Sequence, residues 1–255
     1  METIVQMLAR ELDQSAQHVQ NVVDLLDEGN TIPFIARYRK ELHGSMDDTV
    51  LRTLEERLQY LRSLEKRREE VRSAIEAQGK LTEALSAAIA SAVTLAEVED
   101  LYRPYKPKRR TRATVARERG LEPLAELLFA QGPDCPDPLA AAAAYVDPEK
   151  GVETLADALQ GASDIIAETI SDDAAIRKSL RELVLKRGQL VSKAATEEDT
   201  VYRLYYDFAQ SIPRLQGHQI LAINRGEREG LLKAVVVTDR DQALPLLRRA
   251  VVRPG

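Results

Sequence analysis

The chain has 255 residues, of which 44% are apolar and 30% are charged, and its formal net charge is -5. A single cysteine, Cys135, excludes an internal disulfide and a multi-cysteine zinc site. No apolar run approaches the ~20 residues that a membrane helix needs, and the N-terminus has no apolar signal core. We therefore expect a cytoplasmic protein without a membrane partner.

Apolar residues recur at helical spacing along most of the chain, and Ala and Leu dominate its composition. These stripes, with capping and stop residues, predict helices over 1–11, 16–28, 32–42, 46–78, 82–91, 95–101, 121–129, 139–145, 152–159, 165–170, 174–186, 217–224 and 239–252. The stretch QGPDCPDP at 131–138 is predicted to be a loop.

The longest periodic segment, 46–78, would form a helix of about 50 Å at 1.5 Å per residue. Its apolar stripe consists of Val50, Leu51, Leu54, Leu58, Leu61, Leu64, Val71 and Ile75. The opposite face alternates Glu and Arg, which favours a solvated surface with ion pairs over contact with nucleic acid.

The last quarter of the sequence differs from the rest. LLKAVVVT at 231–238 is the one strong β-branched run and predicts a strand. Tyr202, Tyr205 and Ala209 would share a helical face, which favours core packing over base stacking. The predicted fold is all-α, with layered helices, helix-turn-helix-like elements near the N-terminus, one long helix and a small strand-containing C-terminal tail. The predicted division is a helical region at 1–191 and a connecting segment at 192–255.

No catalytic constellation is visible. His18, His43 and His218 lie at no metal-ligand spacing from one another or from Cys135, so each is expected to be a surface or satisfied structural residue. The pairs Asp47-Asp48 and Asp172-Asp173 are interpreted as acids at helix starts, where they oppose the helix dipole. The sequence therefore predicts neither an enzyme nor a metal site, cofactor or small-molecule substrate.

The stretch LYRPYKPKRRTRATVARERG at 101–120 holds eight cationic side chains and one acid. Pro104 and Pro107 are expected to keep its backbone extended, and Thr111 or Thr114 could cap a short helix after it. Arginines near that positive helix end would favour an anionic partner. The candidate nucleic-acid-binding residues are Arg103, Lys106, Lys108, Arg109, Arg110, Arg112 and Arg117.

An alternative use of the same charge is internal. The arginines could pair with acidic side chains of this chain, for example Glu97, Glu99 and Asp100. Two functions remain open on these residues: contact with RNA or DNA phosphates, or a protein-interaction scaffold with no direct nucleic-acid contact.

Five blocks carry a resemblance to a known family. They are TIPFIARYRKE (31–41), LRTLEERLQYLRSLEKRR (51–68), DLYRPYKPKRRTRATVARERGLEPLA (100–125), ALQGASDIIAETIS (158–171) and ILAINRGEREGLL (220–232). In this order and spacing they resemble the N-terminal helical region of the Tex family of bacterial transcription accessory proteins.

The resemblance implies a larger protein in which a YqgF-like, RNase H-type domain, helix-hairpin-helix elements and an RNA-binding OB-fold follow this region. It implies RNA or DNA and the transcription machinery as partners, and no catalytic role for the shared motifs. Lys106, Lys108, Arg109, Arg110 and Arg112 match the PYKPKRRT element of the family, and Arg225 to Glu227 match an RGE turn. Gln219 departs from the family pattern, in which His-Arg is common, and removes a cation there.

Overall fold

The computed structural model describes residues 3–132 and 135–253, and within them α-helices predominate. Contacts divide the chain into two units, Met1–Tyr102 and Arg103–Gly255. The domain boundary predicted at 191/192 stays a prediction. The helix-turn-helix-like elements also stay a prediction. Of the predicted first helix and the predicted loop, Met1, Glu2, Pro133 and Asp134 lie outside the described residues.

The first unit is helical throughout its described elements. Its helices are α1 (Ile4–Glu11), α2 (Ala16–Asp27), α3 (Ile32–Tyr38), α4 (Lys40–His43), α5 (Asp48–Glu76), α6 (Glu83–Ser91) and α7 (Leu95–Tyr102). Side chains of Ser15, Asp47 and Thr82 cap α2, α5 and α6 by accepting backbone N–H bonds.

Helix α5 organises this unit because its apolar stripe is buried. The stripe predicted from the sequence is confirmed except at Val50, which is half-buried. The charged face forms ion pairs, as expected: Arg57 binds Glu11 of α1 and Arg62 binds Asp27 of α2, both at 2.6 Å. Helices α1 and α2 are thus held to α5 by apolar burial and by charge.

The predicted helix over 32–42 is wrong as a single element. It breaks at Arg39, whose backbone (φ −130°, ψ 34°) is not helical, and resumes as α4. Gly44 then ends α4 with φ +60°, a conformation that glycine adopts without steric cost. A Cβ at Gly44 would lie 2.0 Å from Nδ1 of His18, so this turn also lets the His18 ring approach the backbone.

His43 departs from the expected surface or satisfied structural role. It is 2% exposed, and neither ring nitrogen finds a hydrogen-bond partner within the described part of the chain. An unpaired polar group in the interior carries a desolvation penalty that an apolar side chain of similar size avoids.

We therefore expect His43→Leu to raise the free energy of unfolding by about 1 kcal/mol, as measured by urea denaturation. His18→Leu, at a half-buried histidine, is the control and should change stability less. A loss of stability in His43→Leu would show that the imidazole makes favourable polar contacts.

The second unit combines helices with one small sheet. Its helices are α8 (Arg112–Glu118), α9 (Glu122–Ala130), α10 (Pro138–Ala143), α11 (Leu155–Asp172), α12 (Ala174–Arg187), α13 (Gly217–Arg228) and α14 (Arg240–Val251). Its strands are β1 (Gln189–Ala194), β2 (Asp207–Ser211) and β3 (Leu232–Val237).

Helix α11 replaces the two short helices predicted over 152–159 and 165–170. It runs without a break through Gly161 and Asp164. The reason is tertiary: Leu121 packs against Gly161 so closely that a Cβ there would lie 2.3 Å from its Cδ1. The buried faces of α8 to α11 form one core, which includes Leu121, Leu124, Ala162 and Ile165.

The sheet confirms the predicted strand as its edge strand β3 and adds β1 and β2, which the sequence did not predict. The order is β2-β1-β3, all antiparallel, with Val191 opposite both Ala209 and Val235. Residues 207–211 form a strand, so the prediction that Tyr202, Tyr205 and Ala209 share a helical face is wrong. Tyr202 is nevertheless buried, as expected.

The RGE segment is likewise not a turn. Helix α13 continues through Arg225 to Arg228, and the chain reverses at Gly230 (φ +75°). Across the described residues, each helix is too short or too polar to span a lipid bilayer.

Candidate nucleic-acid interface

The basic stretch, which we call the basic segment (residues 103–119), has three local conformations. Arg103–Tyr105 form a 3-10 turn directly after α7, residues 106–111 have no regular secondary structure, and α8 begins at Arg112. The expected extended conformation is therefore wrong for Arg103, because proline fits the first turn of a helix. Thr111 is the cap of α8, accepting the Thr114 N–H at 3.0 Å.

Three cations of the basic segment, Arg103, Lys108 and Arg117, face α11, and we call them the inner cations. Arg103 Nε lies 2.8 Å from Asp172 Oδ1, and Lys108 Nζ contacts the other oxygen of the same carboxylate. Arg117 lies 2.7 Å from Glu168, which Lys108 also approaches at 3.4 Å. The two carboxylates are largely buried, with 9% of the Asp172 side chain and 14% of the Glu168 side chain exposed.

The structure corrects the prediction that Asp172 lies at the start of a helix. Asp172 does not start a helix: it is the last residue of α11, while Asp173 caps α12 by accepting the Ile176 N–H. A carboxylate at a helix C-terminus is unfavourable because that end is already negative. Arg103 and Lys108 offset this charge, so the basic segment and the end of α11 stabilise each other.

The residues around Glu168 stabilise its ionised form. Burial by itself raises the pKa of the Glu168 carboxyl, but hydrogen bonds from Arg117 and Thr111 and the charge of Lys108 outweigh burial and hold the pKa below its usual range. The hydrogen bond to Glu168 correspondingly raises the pKa of Arg117. Both groups are therefore ionised at neutral pH.

Three other cations, Arg109, Arg110 and Arg112, point outward, and we call them the outer arginines. Arg110 pairs with Glu118 at 2.8 Å, but both side chains are exposed. Arg112 is 86% exposed and approaches Asp164 at only 3.7 Å. Arg109 is exposed, and its side chain has no ion pair to any residue that the structure describes. Lys106 is exposed as well.

Two of the outer arginines, Arg110 and Arg112, border a cleft of about 450 Å³ between α8 and the first half of α11. Arg119, Asp157, Gln160 and Asp164 complete its polar lining, and Val115, Ala116 and Leu121 form its apolar part. The candidate residues from the sequence did not include Asp157, Gln160 and Asp164, because these three lie about 40 residues after the basic segment in the chain. No sequence signal marks them, since their shared position depends on the packing of α8 on α11.

Two of the acids just before the basic segment contact residues of the first unit. Glu99 binds Arg67 of α5 at 2.6 Å, and Glu97 accepts the Val93 N–H at 2.8 Å. The internal ion pairs proposed as an alternative thus exist for the inner cations, but their acidic partners come from α11.

Comparison with known proteins identifies the family. Residues 2–76 match the model of the Tex-like protein N-terminal domain, and residues 134–251 match that of the Tex central region. The chain is 46% identical to Protein tex of Bordetella pertussis over 253 residues, covering 98% of this chain and 32% of that protein. It is also 46% identical to the uncharacterized protein YdcI of Bacillus subtilis, covering 97% of this chain and 35% of that protein.

A human relative is more distant. It is the S1 RNA-binding domain-containing protein 1, which is 34% identical over 244 residues, covering 91% of this chain and 24% of that protein. The chain spans about a third of the length of the bacterial relatives described above. On these matches, the chain belongs to the Tex family of transcription accessory proteins.

Proposed function

We propose that this chain is a nucleic-acid-associated, non-enzymatic region of a cytoplasmic Tex-type transcription accessory protein, and that its outer arginines contact RNA or DNA phosphates. The observation that carries the proposal is the division of the basic segment. Its inner cations are bound to Glu168 and Asp172, whereas Arg109, Arg110 and Arg112 remain exposed.

The energetics of these pairs favour exchange at the outer positions. An ion pair between exposed side chains contributes only about 0–1 kcal/mol, so a phosphate can replace Glu118 as the partner of Arg110 at little cost. Arg117 and Lys108, in contrast, would leave a largely buried carboxylate unpaired if they turned outward. The inner cations therefore position the segment, and the outer arginines are available to bind.

Two further considerations support the proposal. Arginine matches phosphate geometry with its planar, multiple-donor fork. The human relative is named for an S1 RNA-binding domain, and another relative, from Neisseria gonorrhoeae, is named transcriptional accessory protein Tex. Phosphate contacts carry no sequence information, so binding by the outer arginines alone should not depend on the base.

The test is the salt dependence of binding to a single-stranded uridine dodecamer, measured by fluorescence anisotropy between about 50 and 200 mM salt. The triple variant Arg109→Ala, Arg110→Ala, Arg112→Ala should bind about tenfold more weakly at the lower salt. Its salt slope should fall by up to about 2, because each phosphate contact on a single strand contributes ~0.7.

The matched control is Arg52→Ala, Arg72→Ala, Arg203→Ala, which removes three solvent-facing arginines that form ion pairs elsewhere. It should retain the parent affinity. Equal losses in the two triple variants would mean that only net charge matters, and no binding of the parent chain at about 50 mM salt would reject the proposal.

A second candidate function, a docking scaffold for other domains or for the transcription machinery, is favoured by a different feature. A groove of about 570 Å³ between α11, α12 and α14 is lined mainly by apolar side chains, among them Ile170, Ile176, Leu180 and Leu247. For this function, Leu180→Asp should abolish association with the remaining part of a full-length relative in sedimentation experiments, whereas the outer-arginine variant should not.

A further inference from the structure

We propose that the cleft between α8 and α11 holds one nucleotide of a single strand and prefers guanine as its base. The proposal rests on the function proposed above, since it needs the outer arginines to hold the strand by its phosphates. The cleft volume of about 450 Å³ lies within the range of about 300–1,000 Å³ that is usual for small-ligand sites.

The charges in the cleft suit a ligand with both an anionic group and hydrogen-bond donors. Arg110, Arg112 and Arg119 line it together with Asp157 and Asp164, which leaves one net positive charge. A simple anion would be attracted to the arginines but repelled by the aspartates. A nucleotide carries its phosphate at one end and N–H groups on its base at the other, so it can satisfy both.

Asp164 is the acceptor that the base would meet. Only 16% of its side chain is exposed. Its Oδ1 accepts a bond from Gln160 Nε2 at 3.2 Å and lies 3.7 Å from Arg112 Nε. Its Oδ2 has no hydrogen bond to any described residue, and the long contact to Arg112 leaves the arginine able to turn to a phosphate.

The second acceptor is next to it. Gln160 donates one N–H of its amide to Asp164, so its Oε1 remains available as an acceptor beside the second N–H. The apolar side chains of Val115, Ala116 and Leu121 supply a surface for the face of a base. Unstacked bases are commonly bound with a side chain packed on the face of the base and hydrogen bonds to its Watson–Crick edge.

Guanine fits this set of acceptors better than the other bases. Its Watson–Crick edge presents N1–H and the N2 amino group side by side, and one carboxylate can accept both. Adenine and cytosine each present a single amino group next to a ring acceptor, which would face the carboxylate unfavourably. Uracil presents one N–H between two carbonyl oxygens.

The experiment compares four dodecamers: uridine alone, and uridine with three guanosines, three inosines or three adenosines. We expect the guanosine oligonucleotide to bind at least fivefold more tightly than uridine alone. Inosine lacks the N2 amino group but keeps N1–H, so it should lose most of this gain. This comparison changes the ligand only and does not depend on any variant folding.

Asp164→Asn tests the protein side of the contact. It should abolish the guanosine preference, so that the guanosine and uridine oligonucleotides bind this variant equally tightly. The matched control is Asp199→Asn, which removes the same charge from an exposed ion pair with Arg203. The control should keep the full preference for guanosine.

The outcomes separate the two proposals. If the uridine dodecamer binds with the expected salt dependence but guanosine adds nothing, the cleft proposal is rejected and the phosphate proposal stands. The same follows if inosine equals guanosine or if Asp164→Asn keeps the preference. If none of the oligonucleotides binds at about 50 mM salt, both proposals are rejected.

Discussion

Glu168→Ala is expected to lower the free energy of unfolding at pH 7 by about 2–3 kcal/mol, as measured by urea denaturation. The substitution removes the acceptor that Arg117 reaches at 2.7 Å, Thr111 at 2.9 Å and Lys108 at 3.4 Å. Breaking a fully buried ion pair costs about 3–5 kcal/mol. Because Arg117 and Lys108 are partly exposed, the expected loss is smaller, about 2–3 kcal/mol.

Glu122→Ala is the matched control because Glu122 is the other carboxylate that binds Arg117, at 3.1 Å, and it is exposed. Its loss should cost no more than about 1 kcal/mol. Similar losses in the two variants would mean that burial of Glu168 contributes nothing to the strength of its contacts.

The contribution of Glu168 to the free energy of unfolding depends on pH in a defined direction. The folded-state pKa of Glu168 lies below its value in the unfolded chain, near 4.5, so its stabilising contribution is present above that value. As the pH falls through the folded-state pKa, the contribution is lost. The stability difference between the parent chain and Glu168→Gln should therefore be constant near neutral pH and shrink below about pH 4.5.

Gly161→Ala is expected to lower the free energy of unfolding by about 2 kcal/mol, against the helix propensities. In an open helix interior the same change would add about 1 kcal/mol of stability. At Gly161, however, the new Cβ would lie 2.3 Å from Leu121 Cδ1 and 3.3 Å from Ala116 Cβ, and Leu121 is only 1% exposed. Crowding in a filled core costs about 1–3 kcal/mol, and so close an approach favours a cost of about 3 kcal/mol. Less the gain of about 1 kcal/mol from helix propensity, the net loss is about 2 kcal/mol.

Gly217→Ala provides the control, because no atom lies within 4 Å of a Cβ at this first residue of α13. It should be neutral or stabilising. A double variant with Leu121→Ala should lose less than the sum of the two single changes, because the methyl group enters the space that Leu121 leaves. Additive losses would contradict a direct clash between the two residues.

Much of the fold follows from local pattern. The stripe of leucines along α5, the helix start at Asp47-Asp48, and the apolar run of β3 were all predicted and are confirmed. Each depends on residues within a few turns of helix or on one short run of β-branched residues, so the sequence alone contains the information. The Tex family membership, predicted from five blocks, is confirmed by the family matches.

The errors have a common cause. Gly161 and Asp164 are helix breakers and caps by propensity, yet α11 passes through both because it packs on α8 and α9. Strands β1 and β2 have weak local patterns and exist because each pairs with a neighbour distant in sequence. Local propensity is worth a few tenths to about 1 kcal/mol per residue, so burial and pairing over a whole element override it.

The same division applies to the candidate site. By itself, the sequence determined that this acidic, helical chain carries one concentrated run of cations and that proline and threonine shape the backbone around it. Only the tertiary structure decided which cations are held by Glu168 and Asp172 and which face outward, and which polar residues of α11 join them in a cleft. The physical reason is that an ion pair depends on the distance between charges in space, and about 50 to 70 residues of chain separate the partners that α11 and α8 bring together.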